Sequence, residues 1–171
     1  MMRRPKPLGE EDLMAYALKS LAARAASSGE MRVKLERRAL RKTDVEAVMR
    51  RLKDAGYLND ERFAESFASW RAGSRRLGRR RVQRDLLARR VAPKLAEHAV
   101  AQAFEDTDET AMLREHIARR IRRSGPPKDR RAMASLYRHL VGAGFSASQI
   151  FPELRRLGKE DAQALEEAAE E

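Results

Sequence analysis

Apolar residues recur along this chain at the three- and four-residue spacing that puts them on one face of a helix. Met31 and Leu35, Val82 and Leu86, and Leu136 and Leu140 are i, i+4 pairs, and Phe63, Phe67 and Trp70 stand at i, i+4 and i+7. No window shows the sustained alternation of a strand. Short polar runs punctuate the apolar ones. Ser27 with Glu30, Thr43 with Glu46, and Ser146 with Gln149 have the capping-box spacing, in which side chain and main chain satisfy each other's free N–H groups. Asn59 is a further cap, followed by Asp60 and Glu61 at the electropositive first turn. Leu58 with Phe63 and Phe145 with Ile150 fit hydrophobic staples. Pro93 suits a first helical turn, and Gly56 and Gly144 read as C-terminal stops.

This punctuation predicts nine short helices over 10–24, 28–40, 44–54, 60–74, 79–90, 93–104, 108–123, 128–142 and 147–157. They fall into a repeat. MRVKLERRAL (31–40), VQRDLLARRV (82–91) and LYRHLVGAGF (136–145) superimpose on their apolar positions at offsets of 51 and 54 residues. Met31, Val82 and Leu136 correspond, then Leu35, Leu86 and Leu140, then Leu40, Val91 and Phe145. Such a period indicates stacked helical units, each burying an apolar face partly on the next. The expected fold class is all-α: an elongated, curved array of three tandem three-helix repeats at 10–57, 58–106 and 107–158. A flexible basic N-terminus (1–9) and an acidic C-terminal tail (159–171) flank it. Stacked repeats offer extended surfaces rather than deep pockets, which favours binding over catalysis. The Phe63–Phe67–Trp70 stripe, with Tyr57 and Phe145, is expected to pack in the core rather than to stack on bases.

Composition agrees with a helical array of narrow cores: 37% of residues are charged and 5% aromatic. The chain has no cysteine, hence no disulfide or thiolate metal site, which is compatible with a reducing cytoplasm. No apolar stretch approaches the ~20 residues that span a bilayer, and MMRRPKPLGEED lacks a signal peptide's apolar run. A cytoplasmic protein without a membrane partner is expected.

Charge is more informative. The net charge is +11, and 29 of the 37 cations are arginine, whose planar fork suits phosphate and carboxylate. Residues 71–90, RAGSRRLGRRRVQRDLLARR, hold nine arginines against Asp85, whereas residues 160–171 carry six acids and no base. Within the basic run Val82 and Leu86 form the buried seam. At about 100° per residue Arg80 and Arg84 then point away from it and Arg81 lies on a flank. Arg79 and Arg89 lie nearer the buried side, where their stems cover apolar surface. Arg71, Arg75 and Arg76 fall at the preceding helix end, where cations complement the helix dipole. Arg119, Arg120, Arg122 and Arg123 close another helix before Gly125, with the same structural reason available to them. A face bearing Arg80, Arg81 and Arg84 has little internal relief from repulsion, and an anion would complete it. The candidate contact residues are therefore Arg80, Arg81, Arg84, Arg75, Arg76, Arg119, Arg120 and Arg123.

Catalytic signals are sparse. His98, His116 and His139 stand 18 and 23 residues apart, without metal-ligand spacing, and no P-loop, GxSxG or GxGxxG motif occurs. No cofactor, metal or enzymatic activity is expected.

Four segments together resemble the RecX family of recombination regulators: SxxEMxxKL (27–35), RLKDAGYLNDERFAESF (51–67), GRRRVQRDL (78–86) and YRHLVGAGFSASQI (137–150). The likeness runs from about residue 13 to 157, and GYLNDERFA is its most specific part. Ala39 and Arg90 stand where the family usually has glycine, and LAARAASSGE (21–30) lacks its usual charged lead-in. The resemblance implies a non-enzymatic, tandem three-helix-repeat modulator of the RecA recombinase in homologous recombination, DNA repair and the SOS response. Such a protein lies in the groove of the RecA–DNA filament and mostly inhibits its strand-exchange, ATPase and coprotease activities. It also binds single- and double-stranded DNA non-specifically. Nothing suggests a self-complementary apolar patch, so a monomer is expected. The rival reading is a stand-alone helical DNA-binding protein, transcriptional or architectural.

Overall fold

A computed structural model of the chain describes residues 6–158 and 166. Residues 1–5 of the basic N-terminal segment and, apart from Glu166, the acidic tail from 159 lie outside the described residues. Among the described residues there are nine helices and no strand. They are α1 (Glu10–Ala23), α2 (Ser28–Glu36), α3 (Lys42–Asp54), α4 (Asp60–Gly73), α5 (Arg79–Ala88), α6 (Pro93–Ala103), α7 (Glu109–Ser124), α8 (Arg130–Ala143) and α9 (Ala147–Arg155). The chain divides into two compact units: residues up to Phe67 together with 85–99, and 68–84 together with 100 onwards.

The punctuation explains where most helices begin and end. Ser27 and Ser146 form full capping boxes with Glu30 and Gln149. Asn59 accepts from the Arg62 N–H at 2.9 Å, and Asp108 and Asp129 cap α7 and α8 in the same way. Gly56 and Gly144 take positive φ of 73° and 105° at helix stops. The Thr43 cap does not form. Helix α3 starts two residues earlier than predicted, at Lys42, and its buried Asp44 is held by two hydrogen bonds from the Arg41 guanidinium, at 2.8 and 3.3 Å.

Helix α2 also ends sooner than its pattern predicts, at Glu36 rather than near residue 40. The chain beyond it pairs instead with Leu8, whose N–H donates to Arg38 O at 2.7 Å and whose carbonyl accepts from Leu40 N at 2.8 Å. That extended pairing turns Leu40 outward, 64% exposed. The correspondence of Leu40 with the buried Val91 and Phe145 therefore fails, while the other two rows of the repeat hold. Met31, Val82 and Leu136, and Leu35, Leu86 and Leu140, are all buried.

In the first unit α1, α2 and α3 pack on one another around Leu13, Met31, Leu35, Val48 and Leu52. Each fully buried side chain of this kind contributes about 2 kcal/mol of transfer free energy. In the second unit α7, α8 and α9 pack on one another, burying Leu113, Met133, Leu140, Phe145, Ile150 and Leu154. Glu153 is buried there but remains charged. Its carboxylate receives two 3.0 Å hydrogen bonds from Arg114 and one of 3.1 Å from Arg156, and the Arg114 bonds above all hold it below the ordinary glutamate pKa.

Helix α4 corrects the aromatic stripe. Its buried row is Ala64, Ala68 and Ala72, at i, i+4 and i+8. Phe63 and Phe67 flank that row half-buried and stack at 6.0 Å between centroids. Trp70, two residues from both Ala68 and Ala72, lies roughly 160–200° around the helix from them and is 46% exposed. Tyr57, after the Gly56 stop, is also exposed, whereas Phe145 is buried as expected.

Candidate nucleic-acid interface

The part of the cationic run from residue 71 to 84 lies in the second unit and has two anchors. Between α4 and α5, Arg76 adopts φ 53°, a left-handed conformation costly for a side-chain-bearing residue. Helix α7 holds it there. His116 Nε2 donates to the Arg76 carbonyl at 2.6 Å, and Glu115 pairs with the Arg76 guanidinium at 3.7 Å. His116 is itself buried edge-on against Phe145, 5.4 Å between centroids.

The second anchor is a main-chain dock between the start of α5 and the end of α8. Gly78 N donates to Ala143 O at 2.9 Å, and Arg80 N donates to Gly144 O at 3.2 Å. The Arg81 guanidinium adds a 3.1 Å bond to Gly142 O. The approach is close enough that a Cβ at Gly78 would lie 2.6 Å from the Gly144 carbonyl carbon. The first unit has a matching junction. There the buried Ser27 hydroxyl at the start of α2 donates to Arg89 O at the end of α5, and the same oxygen accepts from Glu30 N at 3.0 Å. Ser27 and Gly78 stand 51 residues apart, as Met31 and Val82 do, so the junction recurs at the repeat offset.

With the dock fixed, the arginines sort by environment. Arg79, expected nearer the buried side, is exposed, but its guanidinium covers the Phe104 ring at 5.3 Å and pairs with Glu109 at 3.6 Å. Arg89 in the first unit is half-buried as expected, over Phe63 and Phe67 at 5.3 and 5.0 Å and 3.7 Å from Glu30. Arg80, Arg81 and Arg84 are exposed. Arg81 is tied to the end of α8, but Arg80 and Arg84 meet no carboxylate among the described residues. Arg75 is exposed and sits over the Trp70 ring at 5.1 Å, with Arg71 over the same ring at 5.4 Å. From residue 68 to 84 there are seven arginines and no carboxylate.

The second predicted cluster is brought beside the first at one point. Glu115 pairs with Arg119 at 3.9 Å as well as with Arg76, so a single carboxylate stands between the two. Arg123 is exposed one helical turn beyond Arg119. Arg120 is half-buried, with His139 within reach of its charge. That imidazole is held below the ordinary histidine pKa, first by burial and then by His116 and Arg120 nearby. Arg120 is thus the least available of the eight. Sequence reasoning missed Trp70 as a surface residue. The alanine row at 64, 68 and 72 was the available signal, because it marks a second, closer-packing face on the same helix.

Among the described residues no three His, Asp or Glu side chains converge as metal ligands, and no helix is long and apolar enough to cross a membrane.

Tandem short helices presenting a cation-rich surface define an all-α helical-repeat protein. Residues 59–100 match the family model described as RecX, second three-helix domain. The chain is 35% identical over 159 residues to regulatory protein RecX of Deinococcus radiodurans, covering 92% of this chain and 74% of that one. It is 33% identical over 154 residues to regulatory protein RecX of Thermus thermophilus, covering 90% and 96%. The chain belongs to the RecX family of regulatory proteins. Its fold is shared with the crystal structure of RecX from Lactobacillus salivarius, at a TM-score of 0.71 and 18% identity over 86% of this chain and 96% of that one. A second crystal structure of a regulatory protein RecX aligns at 0.73 and 16% identity, covering 86% and 73%.

Proposed function

We propose that the chain is a non-catalytic regulator that binds RecA–DNA filaments in the cytoplasm and mostly inhibits the recombinase's strand-exchange, ATPase and coprotease activities. It acts as three helical repeats, 10–57, 58–106 and 107–158, without a cofactor and as a monomer. One observation carries the DNA-facing half of this reading: seven arginines within residues 68–84 with no carboxylate among them, Arg80 and Arg84 exposed and meeting no carboxylate among the described residues. Arg75, Arg76, Arg80, Arg81, Arg84, Arg119, Arg120 and Arg123 are the proposed contacts. A surface of this kind takes phosphates of single- and double-stranded DNA without reading sequence, because the attraction is to charge and is released with counterions.

The test is an ATPase and strand-exchange assay with the cognate RecA, with and without saturating protein. Both activities should change, and no effect on either refutes the reading. Replacing Arg80 and Arg84 by glutamate should weaken filament and DNA binding while leaving the far-ultraviolet circular dichroism unchanged. For every phosphate that the variant no longer neutralises, the salt slope of single-strand binding should fall by about 0.7. Sequence-selective duplex binding without recombinase would instead mark a stand-alone DNA-binding protein.

A further inference from the structure

We infer that Trp70, with the Arg71 and Arg75 guanidiniums over it, is a stacking platform for an unpaired base of single-stranded DNA. This deepens the DNA-binding reading above and rests on it.

Trp70 is a large apolar ring left 46% exposed on a helix whose buried row is alanine. The helix packs through Ala64, Ala68 and Ala72, and Trp70 points away from that row, so packing does not account for the indole. Two guanidiniums sit over its ring at 5.4 and 5.1 Å, held by the attraction of a cation to the ring's negative face. The site opens the stretch of seven arginines without a carboxylate.

These surroundings select the occupant. An apolar protein surface docking on Trp70 would have to desolvate the exposed Arg75 guanidinium, which opposes binding. A lone phosphate would meet Arg75 and leave the ring idle. Single-stranded DNA offers both features: flat bases that stack on an aromatic ring or a guanidinium plane, and phosphates along the same strand for the neighbouring cations. A duplex presents the phosphates but keeps its base faces stacked internally. The platform therefore discriminates single strand from duplex, which the outward arginines alone do not.

Trp70 is the sole tryptophan of the chain, so its emission reports on this site alone. The full-length protein is titrated with an oligothymidylate, an abasic oligomer of equal length and charge, and a duplex, and binding is followed independently by anisotropy of the labelled oligomers. Oligothymidylate should quench Trp70 in parallel with binding, whereas the abasic strand and the duplex should bind with little quenching. Trp70→Ala should weaken oligothymidylate binding about 5- to 100-fold and leave abasic-strand binding unchanged. Trp70→Phe should restore most of the loss, because phenylalanine still stacks. Circular dichroism of both variants checks folding, and the exposed position leaves the core untouched.

Unchanged emission at saturating oligothymidylate, or equal affinity of the wild type and Trp70→Ala, overturns the platform while leaving the arginine-based reading standing. Failure of the wild type to bind any of the three ligands overturns both.

Discussion

Replacing Gly144 by alanine should destabilise the second unit sharply, because that residue is both left-handed and enclosed by main chain. Its φ of 105° costs a side-chain-bearing residue about 1–2 kcal/mol. The added Cβ would lie 2.5 Å from both Arg81 Cβ and Arg81 N and 2.6 Å from Gly78 O, against an ordinary carbon separation of about 3.5–4.0 Å. Two of those three atoms are backbone and cannot swing aside. Relief requires parting α5 from α8, which would break the Gly78 N to Ala143 O and Arg80 N to Gly144 O bonds, each contributing about 1 kcal/mol. That left-handed strain and overpacking of about 1–3 kcal/mol together come to about 2–5 kcal/mol, a large fraction of the ~5–15 kcal/mol that holds a domain folded. For a chain of this length the melting temperature should fall by about 10 °C. Gly142, two residues earlier, is the control. It lies inside α8 with open space where its Cβ would stand, so alanine there should stabilise by about 0.5–1 kcal/mol. Thermal melts followed by circular dichroism read both variants. A Gly144→Ala melting temperature within ~2 °C of wild type would show that the dock yields and that its geometry is not needed to hold Arg80 and Arg81 in place.

Three further variants probe other parts of the fold. Arg90 occupies φ 60° at the stop that corresponds to Gly144, so Arg90→Gly should raise stability by about 1 kcal/mol, seen as a higher urea midpoint at unchanged slope. Ser27→Ala removes a helix cap and the bond to Arg89 O at a fully buried position, and should cost about 2 kcal/mol in the same assay. Glu153 has a folded-state pKa below its unfolded value, so the stability it contributes is present above the ordinary glutamate pKa and lost as pH falls through the lowered one. Melting temperatures from pH 7 to 3 should therefore decline less steeply in Glu153→Gln than in wild type, and parallel curves would remove Glu153 from the account.

Much of the helical order is legible in the residues because it is set locally. A Ser-x-x-Glu or Asn-Asp-Glu start satisfies its own N–H groups, and a glycine stop needs only its own φ, so most helix limits follow from a few adjacent residues. What is set at a distance escapes. Leu8 pairs with residues 38–40, over 30 positions away, and this shortens α2 and exposes Leu40 against its apolar pattern. Arg41 claims Asp44, and the Thr43 cap is lost to a helix that starts earlier. Trp70 shares a helical face with Phe63 and Phe67, but close packing favours the alanines one position along. The exposure of Arg80 and Arg84 follows directly from the Val82–Leu86 seam. The pairing of Arg76 with α7 does not, since only the folded chain brings His116 and Glu115 to that loop.

The α5–α8 dock separates what holds the helices together from what they display. Gly78, Arg80, Ala143 and Gly144 meet through amide and carbonyl groups that every non-proline residue carries. Joining of this kind demands a close approach at positions 78 and 144 and little else of the side chains around them. The outward side chains of Arg80 and Arg84 take no part in that joining, whereas the Arg81 guanidinium does, through Gly142 O. The charge presented at positions 80 and 84 is thereby separable from the scaffold beneath it: either side chain can change without touching the contacts that hold α5 to α8.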